Sequence, residues 1–459
     1  MTHPTVVNEK SYLIVPFAYN LKYKQAVSAI DFEFFERVQI RTERLFDHIE
    51  KLVAIGEDTP ESIGSHFRMK QKARTVYNLP NKNDLMLTCK TKQNEYQFSV
   101  NTVDLYLFET QVGFWCIQLG YPDGITIEKL IETNYYAKKL SQFEYELSFE
   151  KKISKNEIIK QPVDLGAIIN ELSNPFQVTT FFEGIKNNPS QALVYTSAKI
   201  DEISVEESSL ASYLFQLRRS FKSTYKPSKL EEDFIGNQGL LPLFHNSYWG
   251  ISLEGLANIV TKTEDPKTEQ FFTSTYFHQI ETTYLYLYIL GLHQKYALLR
   301  FTYLASKLSY EIDSFNKDYS QQNSLISELR NQIIRFMLRS SYTQVSNNTH
   351  YAQLYEVVRQ NLRINDLFKE LHDELSAISS ITQVEEQKQQ NELEKIRREQ
   401  SEKFNNRITA ITTFFLPITV ITGFFGMNLA FISKNDDKWW LFALSTILVY
   451  LFTYWKKKD

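Results

Sequence analysis

From Leu292 to Leu416 the chain contains neither glycine nor proline, and eleven of its twelve prolines lie at or before Pro266. Turns draw on these two residues for left-handed or pre-set backbone, and a sheet needs turns to reverse its strands. A stretch this long without them reads as long, uninterrupted helices. The pattern predicts helices over roughly 270–308, 312–345 and 350–427, with Ser346-Asn347-Asn348-Thr349 as the turn before the last. Read as one helix, 350–427 is over ~110 Å long at ~1.5 Å per residue. Such a helix leaves a membrane and stands as a cytoplasmic stalk. Within the first helix, Tyr284–Leu292 (YLYLYILGL) is apolar but too short to span a bilayer, so it is expected to be buried against its neighbours. Glu385–Lys403 mixes charges at helical spacing and reads as a solvated stalk surface.

The last helix runs into an apolar segment. Ile408–Met427 carries no charged residue and has about the ~20 residues a crossing helix needs; Trp439–Trp455 is uncharged too, at the ~17-residue lower limit. Trp439, Trp440, Tyr454 and Trp455 supply interfacial rings at the ends of the second segment. Two spans are therefore expected, 408–427 and 439–455, joined by an outer loop at 428–438 and followed by a basic tail at 456–459. Lys395, Arg397, Arg398, Lys403 and Arg407 precede the first span and Lys456, Lys457 and Lys458 follow the second, against Lys434 and Lys438 in the loop. The positive-inside rule then puts both termini in the cytoplasm, with the hairpin anchored in the cell's inner (plasma) membrane.

Residues 1–265 read differently. Ser11–Phe17, Asp84–Cys89 and Ala192–Ser197 are short β-rich runs, and Val103–Phe108 with Phe114–Leu119 reads as a hairpin. Asp31–Ile55 and Ile125–Leu140 look helical, and Tyr248–Ile251 looks like a last strand turning into a helix through Ser252-Leu253-Glu254-Gly255. The expectation is an α+β cytoplasmic domain over 1–265, a linker around Thr261–Lys267 and a helical stalk over 266–407.

Several function classes fall away. The formal net charge of −3 gives no basic field, so direct nucleic-acid binding is not expected. Cys89 and Cys116 form neither a disulfide framework nor a metal knuckle, and the eight histidines are scattered. No nucleophile–base pattern, phosphate-cradling loop or ligand cluster points to an enzyme, and no bound cofactor is expected. The opening MTHPTVVNEK lacks the features of a signal peptide.

The first span has a patterned face. Thr409, Thr412, Leu416, Thr419, Gly423 and Gly426 recur at spacings of three and four, a stripe of small and hydroxyl side chains. Small residues serve close helix contacts in membranes; the same stripe also suits the wall of a water-filled pore. One hairpin encloses no channel, so a pore requires a ring of copies. Toward the cytoplasm the stripe continues as Asn405 and Glu402, polar where a dimer seam would stay apolar. Pro417 removes the donor for the Thr413 carbonyl, a loss that nearby threonines or water must offset in lipid.

At this point the chain resembles the CorA family of divalent-cation channels. Gly426-Met427-Asn428 matches the family's Gly-Met-Asn motif at the outer end of the first of two C-terminal spans, and Leu416-Pro417-Ile418-Thr419 resembles its apolar-Pro-apolar-Thr element. The close match covers roughly 350–459. The resemblance implies a homopentamer with Gly426, Met427 and Asn428 as the selectivity filter. Asn428 would meet the hydrated cation through its amide, since an ion of magnesium's kind sheds water reluctantly. It also implies a pore lined by Asn405, Ile408, Thr412, Leu416, Thr419 and Gly423, with Leu416 and Ile408 as apolar constrictions. The cargo is then Mg2+ or another divalent cation, and the partners are further copies of the chain and the bilayer. The loop LAFISKNDDKWW departs from the family's usual Met-Pro-Glu element: Lys434 and Lys438 offset Asp436 and Asp437. Some CorA-like proteins accompany type III CRISPR systems and respond to a nucleotide second messenger, which makes a signal-gated membrane effector the alternative. A membrane-anchored binding protein is a third reading.

Overall fold

Ser11–Phe17, apolar on every residue but the first, lies in the middle of a strand that is buried on both sides. The computed structural model describes residues 3–38, 42, 44–54, 62–79, 86–140, 146–154, 157–181, 191–314, 319–426 and 439–456. Two compact units emerge, Met1–Leu375 and Ser376–Asp459.

The first unit is built on one mixed sheet. Its strands are β1 (Val6–Tyr19), β2 (Phe35–Arg37), β3 (Val53–Ala54), β4 (Gly64–Met69), β5 (Leu87–Lys90), β6 (Glu95–Phe108) and β7 (Val112–Gly120). After them come β8 (Glu146–Ser154), β9 (Glu157–Pro162), β10 (Val178–Thr180), β11 (Leu193–Ile200), β12 (Leu240–Phe244), β13 (Ser247–Ile251) and β14 (Gly255–Val260). The main path runs β12-β13-β14-β11-β1-β7-β6-β5-β8-β9, with β10 beside β1 and β2, β3 and β6 beside β4. Pairing is antiparallel except for β11 with β14 and β3 with β4. The hairpin expected at 103–119 is β6–β7, with Leu105 opposite Trp115.

Alternation along the central strands explains the layers. Leu13, Val15 and Phe17 of β1 join Trp115, Ile117 and Leu119 of β7 in one core. That face is covered by the helices Ile127–Ala137, Leu165–Ser173 and Glu207–Arg219, and Trp115 Nε1 donates to Ser173 Oγ at 2.8 Å. Tyr12, Ile14 and Cys116 sit on the opposite face and are just as buried. A sheet apolar on both faces needs cover on both. The second cover is the helical run from Pro266 to Ser314, which stacks Tyr288 on Tyr195 and sets Tyr296 against Phe114. Where the sequence divides the chain at 265/266, the compact unit continues to Leu375. Tyr284–Leu292 is buried, as its apolarity requires, against the sheet as well as against the helix Thr349–Asn361. At Gly291 any Cβ would stand 2.9 Å from Val358 Cγ1, so glycine allows that close approach.

Three expectations are corrected. Asp31–Ile55 is not a helix: it holds β2, the four-residue helix Asp47–Glu50 and β3. Its apolar residues are claimed by the edge of the sheet, where Phe35 pairs with Met69 and Val53 with Gly64. Tyr248–Ile251 does not turn into a helix but reverses into β14. Ser252 Oγ accepts from the backbone N–H groups of Glu254 and Gly255, at 3.1 and 3.2 Å, and so closes the turn. Finally, 350–427 is not one helix. The helix Thr349–Asn361 stops at Leu362, Arg363 takes a left-handed φ of +57°, and a new helix runs over Ile364–Gly426. The break turns both Leu362 and Ile364 inward, and their burial offsets the strained Arg363 backbone. The other long helices are Pro266–Ser314, which contains two wider π-helical turns at Phe271–Thr275 and Ile280–Tyr284, and Tyr319–Ser340.

The second unit holds the remainder of the 63-residue helix and the helix Trp439–Lys456. Described side chains between 387 and 403 are exposed, as the mixed charges of that stretch require. Among the described residues, no helix is long and apolar enough to cross a membrane. Part of the first apolar segment, from Met427 on, lies outside the described residues. The second segment lies in the 18-residue helix Trp439–Lys456, whose Trp, Tyr and Lys ends dilute an aliphatic centre.

Candidate functional site

Asn405, Ile408, Thr412, Leu416, Thr419 and Gly423 all lie on the helix Ile364–Gly426 and all are exposed. At ~100° per residue they share an arc of about 80°. Thr413, Pro417 and Ile421 fall ~100° to ~180° from the middle of that arc, and these are half-buried or buried. This second face meets the helix Trp439–Lys456. The ring of Tyr450 packs 5.6 Å from that of Phe414, and Tyr450 Oη donates to the Phe414 carbonyl at 2.6 Å. The small-residue stripe is therefore not the contact within the hairpin; it points away from it. At Gly423 a Cβ would meet nothing within 4 Å.

Side-chain hydrogen bonds to the backbone cluster around Pro417, at carbonyls other than that of Thr413. Threonine hydroxyls do satisfy neighbouring carbonyls: Thr419 Oγ1 donates to Phe415 O at 2.9 Å and Thr422 Oγ1 to Ile418 O at 2.8 Å. The proline ring crowds the preceding turn, and it is Tyr450 on the other helix that reaches the carbonyl at Phe414. Sequence reading missed Tyr450. Its signal was a tyrosine inside an otherwise aliphatic stretch, away from the interfacial ends.

The remaining site residues are only partly placed. Gly426 is the last described residue of its helix. Met427, Asn428, Asp436 and Asp437 lie outside the described residues.

In the first unit both thiols are buried. Burial pushes the Cys89 thiol up to about 12 and Cys116 well above its ordinary value. Asp104 is a structural anion: burial opposes its charge, but hydrogen bonds from Arg68, at 2.8 and 2.9 Å, and the nearby His66 hold its carboxyl below the usual range. Among the described residues no three His, Cys, Asp or Glu side chains gather as metal ligands.

Residues 259–458 match the family model of the CorA-like Mg2+ transporter proteins. This part of the chain is similar to that family. The match begins inside β14, so it covers the helical layer on the second face of the sheet as well as both helices of the second unit. No curated protein sequence matches the chain. The family is one of membrane transporters, not enzymes, and divalent-cation transport is the activity that the CorA-like match supports. An N-terminal α+β region followed by C-terminal helices is consistent with it.

Proposed function

We propose that the protein is a CorA-like homopentameric channel that passes a divalent cation, Mg2+ first, through a pore lined by the helix ending at Gly426. The observation that carries this reading is the outward-facing stripe Asn405–Gly423, exposed along its whole length and turned away from the second helix of the hairpin. Hydroxyl and amide groups there suit water-filled space, while Leu416 and Ile408 form apolar rings that close by dewetting. The hairpin crosses the membrane twice with both termini in the cytoplasm. Phe404, Ile411, Phe415 and Val420 on one helix and Leu444, Ile447, Leu448 and Leu451 on the other are exposed in the single chain, more apolar surface than a water-soluble protein leaves uncovered. Gly426-Met427-Asn428 is the filter, and the Asn428 amide holds the ion's hydration shell without the tight grip of a carboxylate ring.

The test is Mg2+ flux into proteoliposomes, read with a Mg2+-sensitive dye. Asn428→Ala is expected to abolish selective flux and leave the oligomer intact. Replacing Asp436 and Asp437 together by Asn should change flux much less, because two lysines offset their field and salt screens it beyond ~8 Å. Normal flux through Asn428→Ala with loss in the aspartate pair would move selection into the loop. The charge balance of LAFISKNDDKWW favours a second reading, the same pore gated by a nucleotide second messenger as an effector of a type III CRISPR system. Flux that starts only on addition of such a nucleotide would establish it.

A further inference from the structure

In the unit Met1–Leu375 a cleft of about 380 Å3 opens between the short helix Tyr23–Ser28, the β6–β7 turn and the helix Tyr319–Ser340. Its floor is apolar: Ile63, Phe301 and Phe336 are buried and Tyr23 is held by a 2.6 Å hydrogen bond to Ser65 Oγ. Its rim is cationic. Lys22 and Lys24 come from the start of the chain, and Arg335 and Arg339 from one face of a helix some three hundred residues later. Glu109 is the one carboxylate among the lining residues, and Arg339 already neutralises it at 2.7 Å while also donating to the Ser62 carbonyl at 2.8 Å. No described residue pairs with the side chains of Lys24 or Arg335.

We infer that this cleft binds a small organic phosphate, with Lys22, Lys24 and Arg335 on its anionic end and its planar or apolar part against the half-buried ring of Tyr23, above the buried floor. Isolated surface lysines are ordinarily just solvated. Here cations from two distant stretches converge on a concave surface with an aromatic floor, and their mutual repulsion is relieved when a polyanion enters. A guanidinium matches phosphate oxygens through paired N–H donors, and lysines add point charges. The volume lies in the range of small-molecule sites. The site is separate from the pore, and binding is read without flux, so its failure would leave the channel reading standing.

The test uses the full chain in detergent, without Mg2+, titrated calorimetrically with ADP, pyrophosphate and adenosine. ADP is expected to bind, pyrophosphate at least tenfold more weakly, and adenosine not at all. Lys24→Gln with Arg335→Gln should weaken ADP at least tenfold without changing the melting temperature. Glu109→Gln, which removes the single carboxylate, should tighten it severalfold, so the inference does not hang on one variant. Absence of ADP binding up to ~1 mM, equal affinity in the double variant, or pyrophosphate as tight as ADP would overturn it. So would displacement of ADP by nanodiscs containing phosphatidylglycerol but not by neutral ones, which would assign the cleft to a lipid headgroup.

Discussion

His293 shows how far burial reaches at the level of one residue. It stacks on Phe108 with ring centroids 4.0 Å apart, and its Nε2 lies 2.9 Å from Thr110 Oγ1. Burial pulls its pKa down to about 3, so the folded protein keeps it neutral. In the unfolded chain the imidazole titrates near ~6.5. The depressed folded value fixes the sign: the contribution to stability is whole above pH ~6.5 and is lost as pH falls toward 3. At pH 5 the loss amounts to about 2 kcal/mol. His293→Gln keeps a hydrogen-bonding group for Thr110 and removes the titration. Denaturant unfolding of the two proteins at pH 7 and pH 5 should show the variant losing about 2 kcal/mol less than the parent. Parallel losses would mean that His293 is hydrated or protonated in the fold. Nothing in the sequence marks this histidine; only the packing of the β6–β7 turn against its helix does.

At the scale of elements, a cross-helix hydrogen bond from Tyr450 to Phe414 O ties the two helices of the second unit together. Threonine hydroxyls donate to the carbonyls of Phe415 and Ile418 within their own helix, and Tyr450 reaches Phe414 O from the other helix, next to the Thr413 carbonyl that loses its donor at Pro417. Hydrogen bonds between membrane helices are worth ~0.6 kcal/mol on average and up to ~1.7. Tyr450→Phe should therefore leave assembly intact while amide exchange over 413–420 rises about threefold, or up to nearly twentyfold; unchanged exchange would show that the bond is not maintained. The long helices were legible because a chain without glycine or proline has few other options. The break at Arg363 was not legible, since an arginine occupies a left-handed position usually given to glycine. The burial of Leu362 and Ile364 on either side of it is a tertiary gain with no local signature. For the same reason Asp31–Ile55 misled: its apolar spacing fits a helix, but β4 offers Phe35 and Val53 an edge to pair with. The stripe on the helix Ile364–Gly426 was read from spacing alone. Its direction, away from Tyr450, needed the second helix.

The whole molecule is where the stripe must find its partners. One chain leaves Thr412, Leu416 and Thr419 facing outward, on the side opposite the face it gives to its own second helix. Lipid is a poor neighbour for the Asn405 amide, and a symmetric ring converts the same face into a wall around water. Five copies follow from the CorA resemblance. Mass measurement of the detergent-solubilised protein should give a pentamer, and a monomer or dimer at every concentration would end the channel reading. Cross-linking then tests which face points inward. The two native cysteines are buried, so background is low. Thr412→Cys and Thr419→Cys, placed around a common axis, should form disulfide-linked dimers on mild oxidation. Leu448→Cys, on the exposed face of the second helix, belongs to lipid and should stay reduced. The opposite pattern would put the second helix at the axis and leave the stripe as a lipid-facing surface, which the Asn405 amide makes the costlier arrangement.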